Sequence, residues 1–195
     1  MKHHLSKGLA VLALVFGCAA AQAEPVTYTA TLSGAAEATP NDSPGTGSVT
    51  LVFDLTSHYL SIATTFSGLV AGTTAAHIHC CTLVPGVDTA GVASMTPTFT
   101  GFPSGVTSGN YNAVFDTSQA SFWNATFLTN NGGTTAGAEA ALLAGLNGGS
   151  AYFNLHTSTY PAGEIRGFLA PIPEPAQAMM LLAGLPLLWL RRRRD

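Results

Sequence analysis

The sequence predicts an all-β domain, an antiparallel β-sandwich with one short helix. Three observations carry this. Short runs rich in Val, Thr, Ile, Phe and Tyr alternate apolar and polar residues, the period of a half-buried strand. Turn chemistry such as Asn41-Asp42-Ser43-Pro44-Gly45 and Thr157 to Gly163 separates the runs. Between the two ends of the chain, Thr, Ser, Asn and Gly supply the polarity and lysine is absent, a composition poor in helix formers. Many short strands punctuated in this way read as a sandwich or flattened barrel.

Val26 to Leu32 opens the strand series. Val49, Leu51, Phe53 and Leu55 then alternate with Ser48, Thr50, Val52 and Asp54. Leu60, Ile62, Thr64 and Phe66 follow across a turn at Thr56-Ser57-His58, which leaves His58 facing solvent. Ala75 to Cys80, Tyr111 to Phe115, Phe122 to Phe127, Ala151 to His156 and Glu164 to Leu169 bring the total to about eight. Gly137 to Leu146 breaks the pattern with Leu142, Leu143 and Leu146 at helical spacing. Glu139 suits the positive end of its dipole and Asn147-Gly148-Gly149 stops it, so a short helix packs over one end of the fold. Thr82 to Asn110, with Pro85, Pro97 and Pro103, is long for a loop, and such loops are often functional. Either it folds over the preceding strand's outer face or it holds a short strand around Val92 to Phe99.

Both ends read as hydrophobic targeting helices. Lys2 and Lys7 precede an apolar run, Gly8 to Ala21, and an Ala21-Gln22-Ala23 site, so residues 1–23 are expected to be a secretory signal peptide cut by signal peptidase after Ala23. Residues 171–195 hold Pro173-Glu174-Pro175, an apolar run over 176–190, and Arg191, Arg192, Arg193 and Arg194. This tail resembles the PEP-CTERM sorting signal of Gram-negative bacteria. The resemblance implies processing by an exosortase-type membrane protease, membrane association through 176–190, and delivery to the periplasm, the outer surface or an exopolysaccharide matrix. The arginines resist transfer and stay cytoplasmic.

The remaining domain, 24–170, carries eight acids against the single base Arg166, a net charge of −7. Nucleic-acid binding requires clustered Lys or Arg to replace phosphate counterions, so that class is excluded.

The chemistry concentrates at His77-Ile78-His79-Cys80-Cys81. On a strand His77, His79 and Cys81 share one face, with Ile78 and Cys80 on the other. By the same parity Tyr152, Asn154 and His156 oppose Phe153 and Leu155. If the apolar set faces the core, His77, His79 and His156 all lie on the outside, where neighbouring strands bring three imidazoles together. Three histidines suit copper or zinc, with a fourth position for Cys81, water or a substrate. A polar outer strand face explains the same spacing without a metal.

Cys80 and Cys81 remain after signal removal, in an oxidising compartment. They allow a vicinal disulfide, two thiols with Cys81 as ligand, or an intermolecular bridge. Glu164 and Arg166 share a face of the last strand and read as structural, a charge pair fixing the final hairpin.

Ala76-His77-Ile78-His79, Tyr152-Phe153-Asn154-Leu155-His156-Thr157 and Pro161-Ala162-Gly163-Glu164-Ile165-Arg166-Gly167 resemble a CHRD (chordin-type) domain over nearly all of Val26 to Leu169. The usual glycine-rich run after His-x-His is replaced here by Cys80-Cys81. The resemblance implies an extracytoplasmic β-sandwich of Greek-key, superoxide-dismutase-like or Ig-like type. The His-x-His strand with a later histidine is also similar to copper/zinc superoxide dismutase, which implies copper at His77, His79 and His156. That enzyme's fourth copper histidine and separate zinc cluster have no counterparts here. Three functions follow in order: a non-catalytic surface or matrix binding protein, a copper or zinc metalloprotein, and a dismutase-like enzyme.

Overall fold

A computed structural model describes residues 24–172. The signal peptide with its Ala23 site, and the sorting segment from Pro173 to Arg194, lie outside the described residues. Among the described residues no helix is long and apolar enough to cross a membrane.

Among the described residues, eight strands form one antiparallel curled sheet: β1 (Val26–Ser33), β2 (Thr46–Asp54), β3 (Tyr59–Ser67), β4 (Thr73–His79), β5 (Gly109–Asp116), β6 (Tyr152–Thr157), β7 (Ile165–Phe168) and β8 (Ala170–Pro171). Their order is β4-β6-β7-β1-β2-β3-β5, with β8 on β1. β2 and β3 pair without a break from Thr46↔Ser67 to Asp54↔Tyr59, so Val49, Leu51, Phe53, Leu60, Ile62 and Phe66 are buried as the alternation demands. The sheet curls over Phe99, whose ring meets Phe153 on β6 and Phe115 on β5.

β4 ends the pairing path, yet its free edge is not left open. The loop after it supplies partners: Ala93 N–H donates to the Ile78 carbonyl at 2.9 Å and Cys80 N–H to that of Gly91 at 3.1 Å. Ile78 N–H donates to Ser94 Oγ and Ala76 N–H to Thr98 Oγ1, both at 3.0 Å. Satisfying an edge in this way protects it from pairing with another chain. The loop thus covers the strand, and its extended part near Val92 contributes isolated bridges, Val92 to His79 and Ser94 to Trp123, and no full strand.

The sequence reading differs from the structure over Phe122 to Phe127, which is not a strand. A 3-10 turn, Ala120–Phe122, leads into α1 (Ala125–Asn130). Asn124 is the reason: its side chain accepts from Thr126 N–H at 2.9 Å and Phe127 N–H at 3.3 Å, an N-cap that starts a helix. The expected helix is α2 (Thr135–Asn147), with Leu142 and Leu146 buried. Glu139 is buried on it and accepts from Thr117 Oγ1 and, at 3.0 Å, from His58 Nδ1. His58 is thus half exposed and paired, not simply solvated.

Candidate metal centre

Register places the site. His77 pairs with Asn154 and His79 with Tyr152 across β4 and β6, while His156 stands opposite Ala75. The three histidines therefore share one face, with His156 diagonal to His77. Asn154 and Tyr152 in turn pair with Arg166 and Phe168 on β7, extending the same face over a third strand. Ile78, Phe153 and Leu155 point into the core, as the parity argument requires.

The face is outward from the sheet but not open to water, because His77 and His79 are buried beneath the 80–108 loop. That loop fixes their rings. His77 Nε2 lies 2.7 Å from the Pro97 carbonyl, and His79 Nδ1 lies 2.9 Å from that of Ala90. His156 Nδ1 lies 3.0 Å from the Pro161 carbonyl. A carbonyl only accepts, so each of these nitrogens carries the hydrogen, and in a neutral imidazole the other nitrogen is a bare lone pair.

The rings are held neutral. Burial pushes the His79 pKa down to about 4, against the opposing pull of the Ala90 carbonyl. It lowers His77 and His156 as well. One ring nitrogen of each histidine lies within 4.8 Å of the others, and the lone pairs left free are those of His77 Nδ1, His79 Nε2 and His156 Nε2. His79 Nε2 is buried with no hydrogen-bond partner. The spacing can be tested against a real ion. Bonds of about 2.0–2.1 Å at tetrahedral angles set nitrogens about 3.3–3.4 Å apart. His77 Nδ1 and His156 Nε2 are 3.3 Å apart. The widest separation, up to 4.8 Å, exceeds that spacing by about 1.4 Å. A backbone carbonyl behind each ligand ring is the outer-shell pattern that orients metal-binding histidines. Three neutral imidazoles so arranged are a donor set for copper or zinc.

Cys81 is not part of this set, contrary to the parity expectation. β4 ends at His79, so alternation stops there, and Cys81 is bonded to Cys80 as a vicinal disulfide. The disulfide packs on α2 instead, with both sulfurs facing the Ala141 carbonyl and Gly145.

Glu164 and Arg166 do not form the charge pair with each other that the sequence suggested. Glu164 accepts from Ser43 Oγ at 2.6 Å, Val70 N–H at 2.7 Å and Thr157 Oγ1 at 2.6 Å, tying two loops to the end of β6. The carboxylate near Arg166 is that of Glu37, 3.9 Å away in the turn after β1. Arg166 also donates to the Ala36 and Asp88 carbonyls and lies over the Tyr152 ring, against which His79 is stacked.

Sequence reasoning missed Glu37 and the role of Asn154. Asn154 was readable, since it shares the parity of His156; Glu37 carries no local signal, because only the β1–β7 pairing brings it across. Comparison with curated proteins and with solved structures finds no match. The family known as the CHRD domain matches residues 28–169, well over half of the sequence, and with the His-x-His and Tyr152-to-Thr157 strands joined on one face, the chain belongs to the CHRD domain family.

Proposed function

We propose that this chain is an exported binding domain of extracellular type that holds one copper or zinc ion at His77, His79 and His156. One observation carries the reading: each ring gives its N–H to a backbone carbonyl and leaves its lone pair on a shared centre. A polar surface strand has no need of three such locks, nor of burying two of them. Membership of the CHRD family supports the extracellular binding or structural role. The terminal motifs support export by signal peptidase and exosortase-type sorting to a Gram-negative surface or exopolysaccharide matrix, within which the curled sheet serves as a Greek-key sandwich. The ion would supply Lewis acidity, and copper would add one-electron chemistry.

The test is metal analysis of purified residues 24–172 after loading and dialysis. Close to one equivalent of copper or zinc is expected, lost in His77→Ala and His156→Ala. Less than a tenth of an equivalent in the parent protein ends the reading and leaves a metal-free surface or matrix protein. Superoxide turnover by the copper-loaded protein, lost in the same variants, would extend the function to dismutase-like catalysis.

A further inference from the structure

Three buried polar side-chain atoms among the described residues lack a hydrogen-bond partner: Glu37 Oε1, Asn154 Oδ1 and His79 Nε2. All three residues wall one cavity of about 320 Å³, together with Arg166 and Tyr152. Leaving a polar group buried and unpaired is unfavourable, because its water partners are lost and not replaced. His79 Nε2 faces the metal centre, so it is the other two, Glu37 Oε1 and Asn154 Oδ1, that signify a further polar occupant. A water takes about 30 Å³, so the space admits a small molecule and not merely one bridging water. Gly163 keeps it open. At its φ of +133°, a Cβ would lie 2.5 Å from Asn154 Nδ2 and 2.7 Å from Glu37 Oε1.

The wall chemistry restricts the occupant. Asn154 turns its amide nitrogen to Glu37 Oε2 at 3.5 Å, which leaves Asn154 Oδ1 and Glu37 Oε1 as acceptors in need of a donor. Arg166 is the single basic residue among the described residues and is almost fully buried. Its Nε and one terminal nitrogen are held by neutral carbonyls, and the Glu37 carboxylate at 3.9 Å is too far for a charge-assisted hydrogen bond. The guanidinium charge is thus weakly compensated, and an ion at His79 would add to it. An anion satisfies that end and a hydroxyl hydrogen the other.

We propose that this cavity binds a small carboxylate bearing an adjacent hydroxyl, with the carboxylate toward Arg166 and the His79-held metal and the hydroxyl donating to Asn154 Oδ1 beside Glu37. The His79 end rests on the metal reading above; the Arg166, Glu37 and Asn154 end does not.

The probe is glycolate, titrated into copper-loaded protein and followed by the Cu(II) electron paramagnetic resonance spectrum, with acetate as the control lacking the hydroxyl. A saturable spectral change is expected, with acetate at least about tenfold weaker, the ratio that one lost hydrogen bond of about 1.4 kcal/mol gives. Asn154→Ala is expected to bring the two affinities together. An unchanged spectrum at millimolar glycolate, or equal affinity for acetate, overturns the inference while leaving the metal reading intact. If no metal is retained, the metal reading fails instead. The Asn154 side-chain amide resonances of the metal-free protein then decide, and their failure to move with glycolate overturns the inference.

Discussion

His77 Nδ1 lies 3.3 Å from His156 Nε2, and both nitrogens present lone pairs because their ring partners donate to the Pro97 and Pro161 carbonyls. Two lone pairs at that distance repel unless a cation lies between them. Metal should therefore stabilise the fold. At a free concentration one hundred times the dissociation constant, linkage gives about 2.7 kcal/mol. For a domain of this size that is a rise in Tm of about 5–10 °C. Differential scanning calorimetry with and without zinc is the measurement, and an unmoved Tm at one equivalent of retained metal contradicts the prediction.

Acid should act on the metal-free protein through two opposed groups. His79 titrates near 6.5 when unfolded and near 4 in the fold, so between those values the unfolded chain binds more protons, and stability is lost as pH falls through that window. His77 and His156 act in the same sense. Glu37 runs the other way. Burial raises it from 4.5 to about 7, so the folded chain binds more protons there and stability falls as pH rises. That displacement corresponds to about 3 kcal/mol. Glu37→Gln should steepen the gain in stability from pH 4.5 to 7 by about that amount, read from urea midpoints. Parallel curves for parent and variant would remove Glu37 as a source.

Gly145 faces both sulfurs of the Cys80–Cys81 disulfide from within α2. In an exposed helix, Gly→Ala stabilises by about 1 kcal/mol. Here the new methyl has no room, and Gly145→Ala should destabilise by about 1–3 kcal/mol, the usual range for overpacking. A raised denaturation midpoint would show that α2 can move off the disulfide.

Glu164 is fully buried and accepts from three donors on separate segments. Glu164→Ala leaves those donors unpaired, at about 1–3 kcal/mol each before relaxation or water entry. A loss of about 3–5 kcal/mol is expected in equilibrium unfolding. A loss under about 1 kcal/mol would mean that water replaces the carboxylate.

Seven strands were legible because alternation survives wherever one face meets the core, as in Val49-Leu51-Phe53 and Leu60-Ile62. The α2 helix was legible from Leu142 and Leu146. Phe122 to Phe127 was misread because its aromatics are buried by tertiary packing, whereas the local decision belongs to the Asn124 cap. The coplanar face of His77, His79 and His156 followed from parity once Ile78, Phe153 and Leu155 were taken inward. Cys81 failed the same rule because β4 stops two residues short of it.

Strand identity, side-chain parity and the scarcity of cations are local properties, written residue by residue, and the amino-acid order alone determined them. Which strands become neighbours is a matter of long-range pairing. The β4–β6–β7 register brought His156 to His77 and Arg166 to Asn154. The fold also laid the 80–108 loop over that face, and the carbonyls of Pro97 and Ala90 chose which nitrogen of His77 and His79 stays free. No periodicity encodes those contacts, because they join segments that meet only when the sheet curls.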